Sequence, residues 1–219
     1  MKARPETRAG QGTQRLREAI LSLALAPGTR LVERDMVGRL GVSRTGVRTA
    51  LQSLESEGLV TRGQRGVFAV AAVSREEARQ IYEVRAALEP AMARLFIERA
   101  TDSQVTALGQ AVARAETAAR APDGAAYVEA FRSFYGVLLS GSGNDIARRI
   151  LETLEARITY LRHVTTERAP QSRQLRTVAL LRGIFIAVQK RAPDIAARRC
   201  GAFVERSARF ALEVLQPDA

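Results

Sequence analysis

The 219-residue chain carries 34 Lys and Arg against 23 Asp and Glu, a formal charge of +11, with 46% apolar residues and a single cysteine. That balance describes a globular protein drawn to polyanions such as nucleic acid. It excludes an internal disulfide, and the lack of any run of 18 apolar residues excludes a membrane-spanning helix. The charge is uneven: residues 1–72 hold 12 basic against 6 acidic side chains (+6), residues 73–219 hold 22 against 17 (+5). Residues 1–12 read as a disordered basic tail without the apolar core of a signal peptide. With the lone Cys200, this points to a reducing cytoplasm.

Residues 13–72 alternate short helical patterns with glycine turns. Leu16, Ile20 and Leu23 form one apolar face of a helix stopped by Pro27-Gly28. A second helix runs from about Glu33 to Leu40, with Gly41 as its C-terminal stop. Ser43 caps a third, whose buried stripe is Val47, Leu51 and Leu54. Two short β-type runs, LVTRG and RGVFAV, then flank a turn at Gly63–Gly66. Three helices and a two-stranded hairpin make a winged helix-turn-helix.

On the third helix, Ser43, Arg44, Thr45, Arg48, Thr49 and Gln52 fall at the start and on the face opposite the buried stripe. A recognition helix offers such side chains to the major groove, where arginine reads guanine or clamps phosphate. Arg34 opens the preceding helix, and Gln64, Arg65 and Gly66 form the wing tip. The expected partner is double-stranded DNA.

Residues 74–215 read as an all-α bundle of about six helices, roughly 74–99, 103–120, 124–140, 144–164, 171–190 and 193–215. Ser74 with Glu77 has capping-box spacing, Asn144 is a further N-cap, and Pro122, Pro170 and Pro193 sit near helix starts. The fold class expected is therefore mainly α: an N-terminal winged helix-turn-helix followed by a C-terminal all-α helical bundle.

The stretch PGTRLVERDMVGRLGVSRTGVRTALQSLESEGLVTRGQRGVFAV resembles the DNA-binding domain of GntR-family bacterial transcription regulators. EVRAALEP (83–90), the SGSGN turn and the helical remainder resemble the FadR-type branch with its FCD effector domain. The resemblance places Arg34, Arg44 and Arg48 on base- and phosphate-contacting positions and Gly66 on the wing-tip glycine. Two departures stand out: Gly46 replaces the usual Pro, and Thr49 the usual Glu.

The FCD resemblance also implies a divalent metal, held by an Asp and a His four residues apart and by one His from each of two later helices. Those positions fall on Phe131, Tyr135, Leu181 and Phe203, none forming a competent ligand set, and the single His163 lies elsewhere. No metal and no other cofactor is expected. Two readings of the aromatic lining remain open. One is a filled core. The other is a pocket for an apolar, aromatic or acidic ligand, with Tyr135 offering a hydroxyl and an arginine pairing with a carboxylate. Arg85 is the first candidate because it interrupts the series Ile81, Leu88, Met92, Leu95, although Glu89 at i+4 could neutralise it; Arg157 and Tyr160 come next.

No P-loop, metalloprotease or hydrolase-elbow motif is present, so catalysis is not expected. The reading is a homodimeric regulator of a pseudo-palindromic operator, modulated by an unidentified small-molecule effector in a metal-free pocket. The alternative is a ligand-independent DNA-binding repressor or architectural protein with a filled C-terminal core.

Overall fold

Helix caps fix most element boundaries, because they satisfy backbone groups that the helix itself leaves open. The computed structural model describes residues 8–63, 66–121 and 123–215. The chain divides into two units, Met1–Val73 and Ser74–Ala219.

The first unit holds α1 (Arg8–Leu21), α2 (Glu33–Leu40) and α3 (Arg44–Ser56), with strands β1 (Arg30–Leu31), β2 (Val60–Arg62) and β3 (Phe68–Val70). The strands form an antiparallel sheet in the order β1-β3-β2. The wing thus has a third strand that the sequence reading lacks, Arg30 and Leu31 pairing with Ala69 and Phe68. Gly41 ends α2 in the left-handed region (φ 65°), and the Ser43 hydroxyl accepts from the Gly46 N–H to start α3. Leu16, Ile20, Val47, Leu51 and Leu54 are fully buried between α1 and α3. Each such side chain stabilises the unit by about 1.5–3 kcal/mol relative to exposure.

Helix α1 begins at Arg8, inside the stretch the sequence reading assigns to a disordered tail. Its Gly12 packs against Val42, where an added Cβ would lie 3.0 Å from Cγ1. Two arginines of α1 tie the unit together. Arg15 donates to the Leu40 carbonyl at the end of α2 (3.1 Å), and Arg17 grips the Glu57 carboxylate with two bonds of 2.9 and 2.6 Å.

The second unit is a bundle of α4 (Arg75–Arg99), α5 (Asp102–Arg120), α6 (Gly124–Gly141), α7 (Asp145–Arg168), α8 (Gln171–Gln189) and α9 (Pro193–Val214). Helix α4 packs most extensively on α9, and α5 on α6 and α8. Phe96, Phe134, Leu138, Leu181 and Val204 form its dry centre. Asp123 and Asn144 cap α6 and α7. Ser74 caps α4, but Glu77 does not complete the box; its carboxylate turns to Arg157 of α7. A reciprocal capping box forms instead at Thr101 and Gln104. Helix α7 continues to Arg168, one turn past its expected end. Among the described residues no helix is long and apolar enough to cross a membrane.

Candidate DNA interface and effector cavity

Helix α3 buries Gly46, Val47, Ala50, Leu51 and Leu54 and exposes Arg44, Thr45, Arg48, Thr49 and Gln52 on its other face. The arginines of this unit fall into two groups. Arg15 and Arg17 bond within it, and Arg62 reaches Glu55 (3.3 Å) while stacking over Phe68 at 4.5 Å. Among the described residues, Arg44 and Arg48 join no ion pair, and Arg34, 84% exposed, lies only loosely beside Asp35 at 3.6 Å. A cation kept exposed and uncompensated is available to phosphate or a base edge. The Thr49 hydroxyl donates to the Thr45 carbonyl one turn back (3.0 Å). At the wing, Gly66 has φ +74° with open space where a Cβ would project. Gln64 and Arg65 lie outside the described residues.

In the second unit, α4, α6, α7, α8 and α9 enclose a cavity of about 80 Å³, room for several waters or a small organic ion. Its wall has aromatic residues from α4, α6 and α9, threonines from α7 and α8, and five arginines: Arg85, Arg162, Arg173, Arg176 and Arg206. No Asp or Glu lines it. Arg85 is neutralised from behind by Glu89 through bonds of 2.5 and 3.3 Å, both side chains being buried. Burial opposes the Arg85 charge, but Glu89, with Tyr135 and Tyr82, outweighs it and raises the pKa. Among the described residues, Arg162 has no ion pair of this kind. Its guanidinium lies over Phe131 (5.4 Å) and Tyr135 (5.7 Å), and burial followed by repulsion from Arg85 lowers its pKa.

Residues 9–70 match the family of bacterial regulatory proteins, gntR family, and residues 80–206 match the FCD domain. The chain is 30% identical over 184 residues to the HTH-type transcriptional repressor RspR of Escherichia coli K12, covering 84% of this chain and 79% of that one. The chain belongs to the GntR family. Like its homologues, it is a transcription regulator and not an enzyme. It is also 27% identical over 150 residues to the uncharacterised regulator YdhC of Bacillus subtilis, 67% of this chain and 66% of that protein. Two solved structures share the fold: E. coli McbR/YncC (TM-score 0.81, 20% identity, 94% of this chain and 98% of that one) and a GntR regulator from Rhodococcus sp. RHA1 (0.82, 22%, 94% and 98%).

Within this GntR chain the residues do not fit the metal that its FCD resemblance implies. Phe131, Tyr135 and Phe203 do converge, with ring centroids 5.9–6.0 Å apart, and Leu181 is fully buried. They offer rings and methyl groups where a cation needs imidazole and carboxylate. Arg85 and Arg162 stand over the Tyr135 ring, and their charge opposes a second cation. Among the described residues no group of three or more His, Cys, Asp or Glu could hold a metal ion.

Of the residues the sequence reading places in an effector pocket, Arg85, Phe131 and Phe203 line the cavity. Tyr135 lies behind it; its buried hydroxyl has no hydrogen-bond partner among the described residues, and burial, with Glu89, pushes its pKa well up. Leu181 and Tyr160 are buried away from the wall. Arg157 does not line it either: its Nε lies 2.8 Å from Glu77, close enough for an ion pair but not aligned for a hydrogen bond. Arg162, Arg173 and Arg206 were missed. A periodic signal existed for Arg162, which follows the buried Ile158 by one turn of α7. Arg173 and Arg206 sit near the solvent side of their helices, where arginine is unremarkable in sequence.

Proposed function

We propose that this GntR-family regulator acts in the cytoplasm as a homodimeric repressor on a pseudo-palindromic operator, and that a small organic anion in the α4–α9 cavity modulates its affinity. The observation that carries the DNA reading is the set of exposed arginines without ion pairs on α3, beside a wing with an open glycine. Ser43, Arg44, Thr45, Arg48 and Thr49 would face the major groove and Arg34 the adjoining backbone, with Arg65 and Gly66 at the minor groove. Support for the effector is the arginine-lined cavity without a carboxylate. The repressor sign follows the relative named as a repressor.

Gel shifts with duplex DNA from upstream of the protein's own gene, against excess competitor DNA, test the reading; light scattering of the free protein gives its oligomeric state. A retarded band that survives competitor and a mass of two chains are expected. Binding no tighter than to competitor DNA would refute the operator assignment, and a monomer would refute the dimer.

A further inference from the structure

The cavity arginines are not one cluster. At the inner end, Arg162 lies over Phe131 and shares the Tyr135 ring with Arg85, whose charge Glu89 already cancels. At the outer end, Arg173 lies 3.5 Å over the Phe210 ring and donates to the Arg206 carbonyl (3.4 Å), with Arg176 on the same helix. Between the two ends stands Tyr127, its ring tilted by 37° against Phe131 at a centroid distance of 4.6 Å, with Thr177 on the same wall. Burial raises its pKa to about 12, and Arg162 and Arg173 both oppose that rise, which places the hydroxyl within the field of each.

Among the described residues, no carboxylate forms an ion pair with either end. Glu155 attracts Arg162 from two turns back on α7, but its carboxylate accepts from Thr159 (3.3 Å), and Glu213 attracts Arg173 without reaching ion-pair distance. One anionic group in contact with Arg162 leaves the Arg173 end uncompensated, and the reverse holds equally. The same wall carries aromatic rings, Ile158 and Leu180, with Thr165, Thr166 and Thr177. That suits a short apolar spacer.

We propose that the effector is an organic dianion, two carboxylate-type groups joined by a short apolar spacer, with one group held by Arg162 and the other by Arg173 and Arg206. This rests on the reading of the cavity as the effector site. Charge-assisted bonds to guanidinium at each end would then add, and the monoanion of the same skeleton would forfeit one set.

The test is calorimetric titration of the full chain, at fixed ionic strength, with straight-chain dicarboxylates from succinate to adipate and with the monocarboxylates of equal carbon number. At least one dicarboxylate is expected to bind about 10-fold or more tightly than its monocarboxylate. Arg173→Gln and Arg162→Gln should each erase that preference, because either one leaves an end of the dianion without its guanidinium. Equal affinities across the two series in the unaltered protein, or a preference that survives both substitutions, would overturn the two-ended assignment but keep an anion-binding cavity. No binding by either series would overturn the anion reading as well.

Discussion

Arg85 and Glu89, one turn apart on α4, form a two-pronged ion pair with side chains only 2% and 3% exposed. Desolvating two charges consumes most of what their attraction returns, so the pair matters chiefly through what its rupture leaves behind. Glu89→Leu strands a buried guanidinium and should cost about 3–5 kcal/mol. The double change Arg85→Met with Glu89→Leu should recover most of that. Urea unfolding followed by circular dichroism separates the cases; a double variant no more stable than the single one would contradict this account.

Arg44 and Arg48 contribute nothing to the packing of the first unit, so their removal should leave thermal unfolding unchanged. Each alanine substitution should lower operator affinity by about 1–3 kcal/mol if it reads a base. If the contact is to phosphate, affinity should fall on all DNA and the salt slope should drop by about one. Fluorescence anisotropy across a salt series distinguishes these, and wild-type affinity in both variants would remove them from the interface.

Two helix glycines allow close approach by aromatic rings, with unequal consequences. A Cβ at Gly141 would lie 2.4 Å from Phe96, which is fully buried and has nowhere to go. A Cβ at Gly109 would lie 2.6 Å from Phe185, which is half-buried and can swing outward. Gly141→Ala should therefore destabilise by about 1–3 kcal/mol, and Gly109→Ala by less. The reverse order in denaturant midpoints would show that the Phe96 site relaxes more readily than its burial implies.

His163 is the only histidine, and burial followed by the neighbouring Arg162 lowers its pKa from the usual 6.5. The unfolded chain thus takes up this proton more readily than the folded one. The stability linked to His163 is present above the ordinary histidine pKa and is lost as pH falls through it toward the folded value. Between pH 7.5 and 5 the unaltered protein should lose thermal stability more steeply than His163→Gln. Parallel curves would mean that the imidazole is freely solvated.

Cys200 is fully buried, and burial, followed by Glu89, holds its thiol well above the ordinary range. Since the thiolate is the reactive form, iodoacetamide should label the native protein far more slowly than the urea-unfolded chain. Equal rates would expose a path to the sulfur.

The fold class was legible because its signals are local. Gly41 and Ser43 mark the α2–α3 turn, and Asn144 marks α7, through caps that depend on a few consecutive residues. What depends on distant partners was not. Two residues, Arg30 and Leu31, carry no alternation by which to recognise β1, and their pairing with β3 arises only when the chain folds back. Gly10 and Gly12 resemble breakers, yet α1 runs through them because Gly12 admits Val42. By periodicity the cavity was legible only at Arg85, which interrupts an apolar series, while Phe131 and Phe203 came from the family resemblance. Arg162, Arg173 and Arg206 converge from three helices, and single-helix periodicity does not report convergence.

Helix α7 has two working points, five residues apart. Arg162 faces the cavity, and Arg157 holds Glu77 in the first turn of α4, three residues beyond the Ser74 cap that opens the second unit. At 1.5 Å of rise and 3.6 residues per turn, they lie about 7.5 Å apart along α7 and about 140° apart around it. One rod thus carries an arginine of the cavity wall on one side and the anchor of the first turn of α4 on the other.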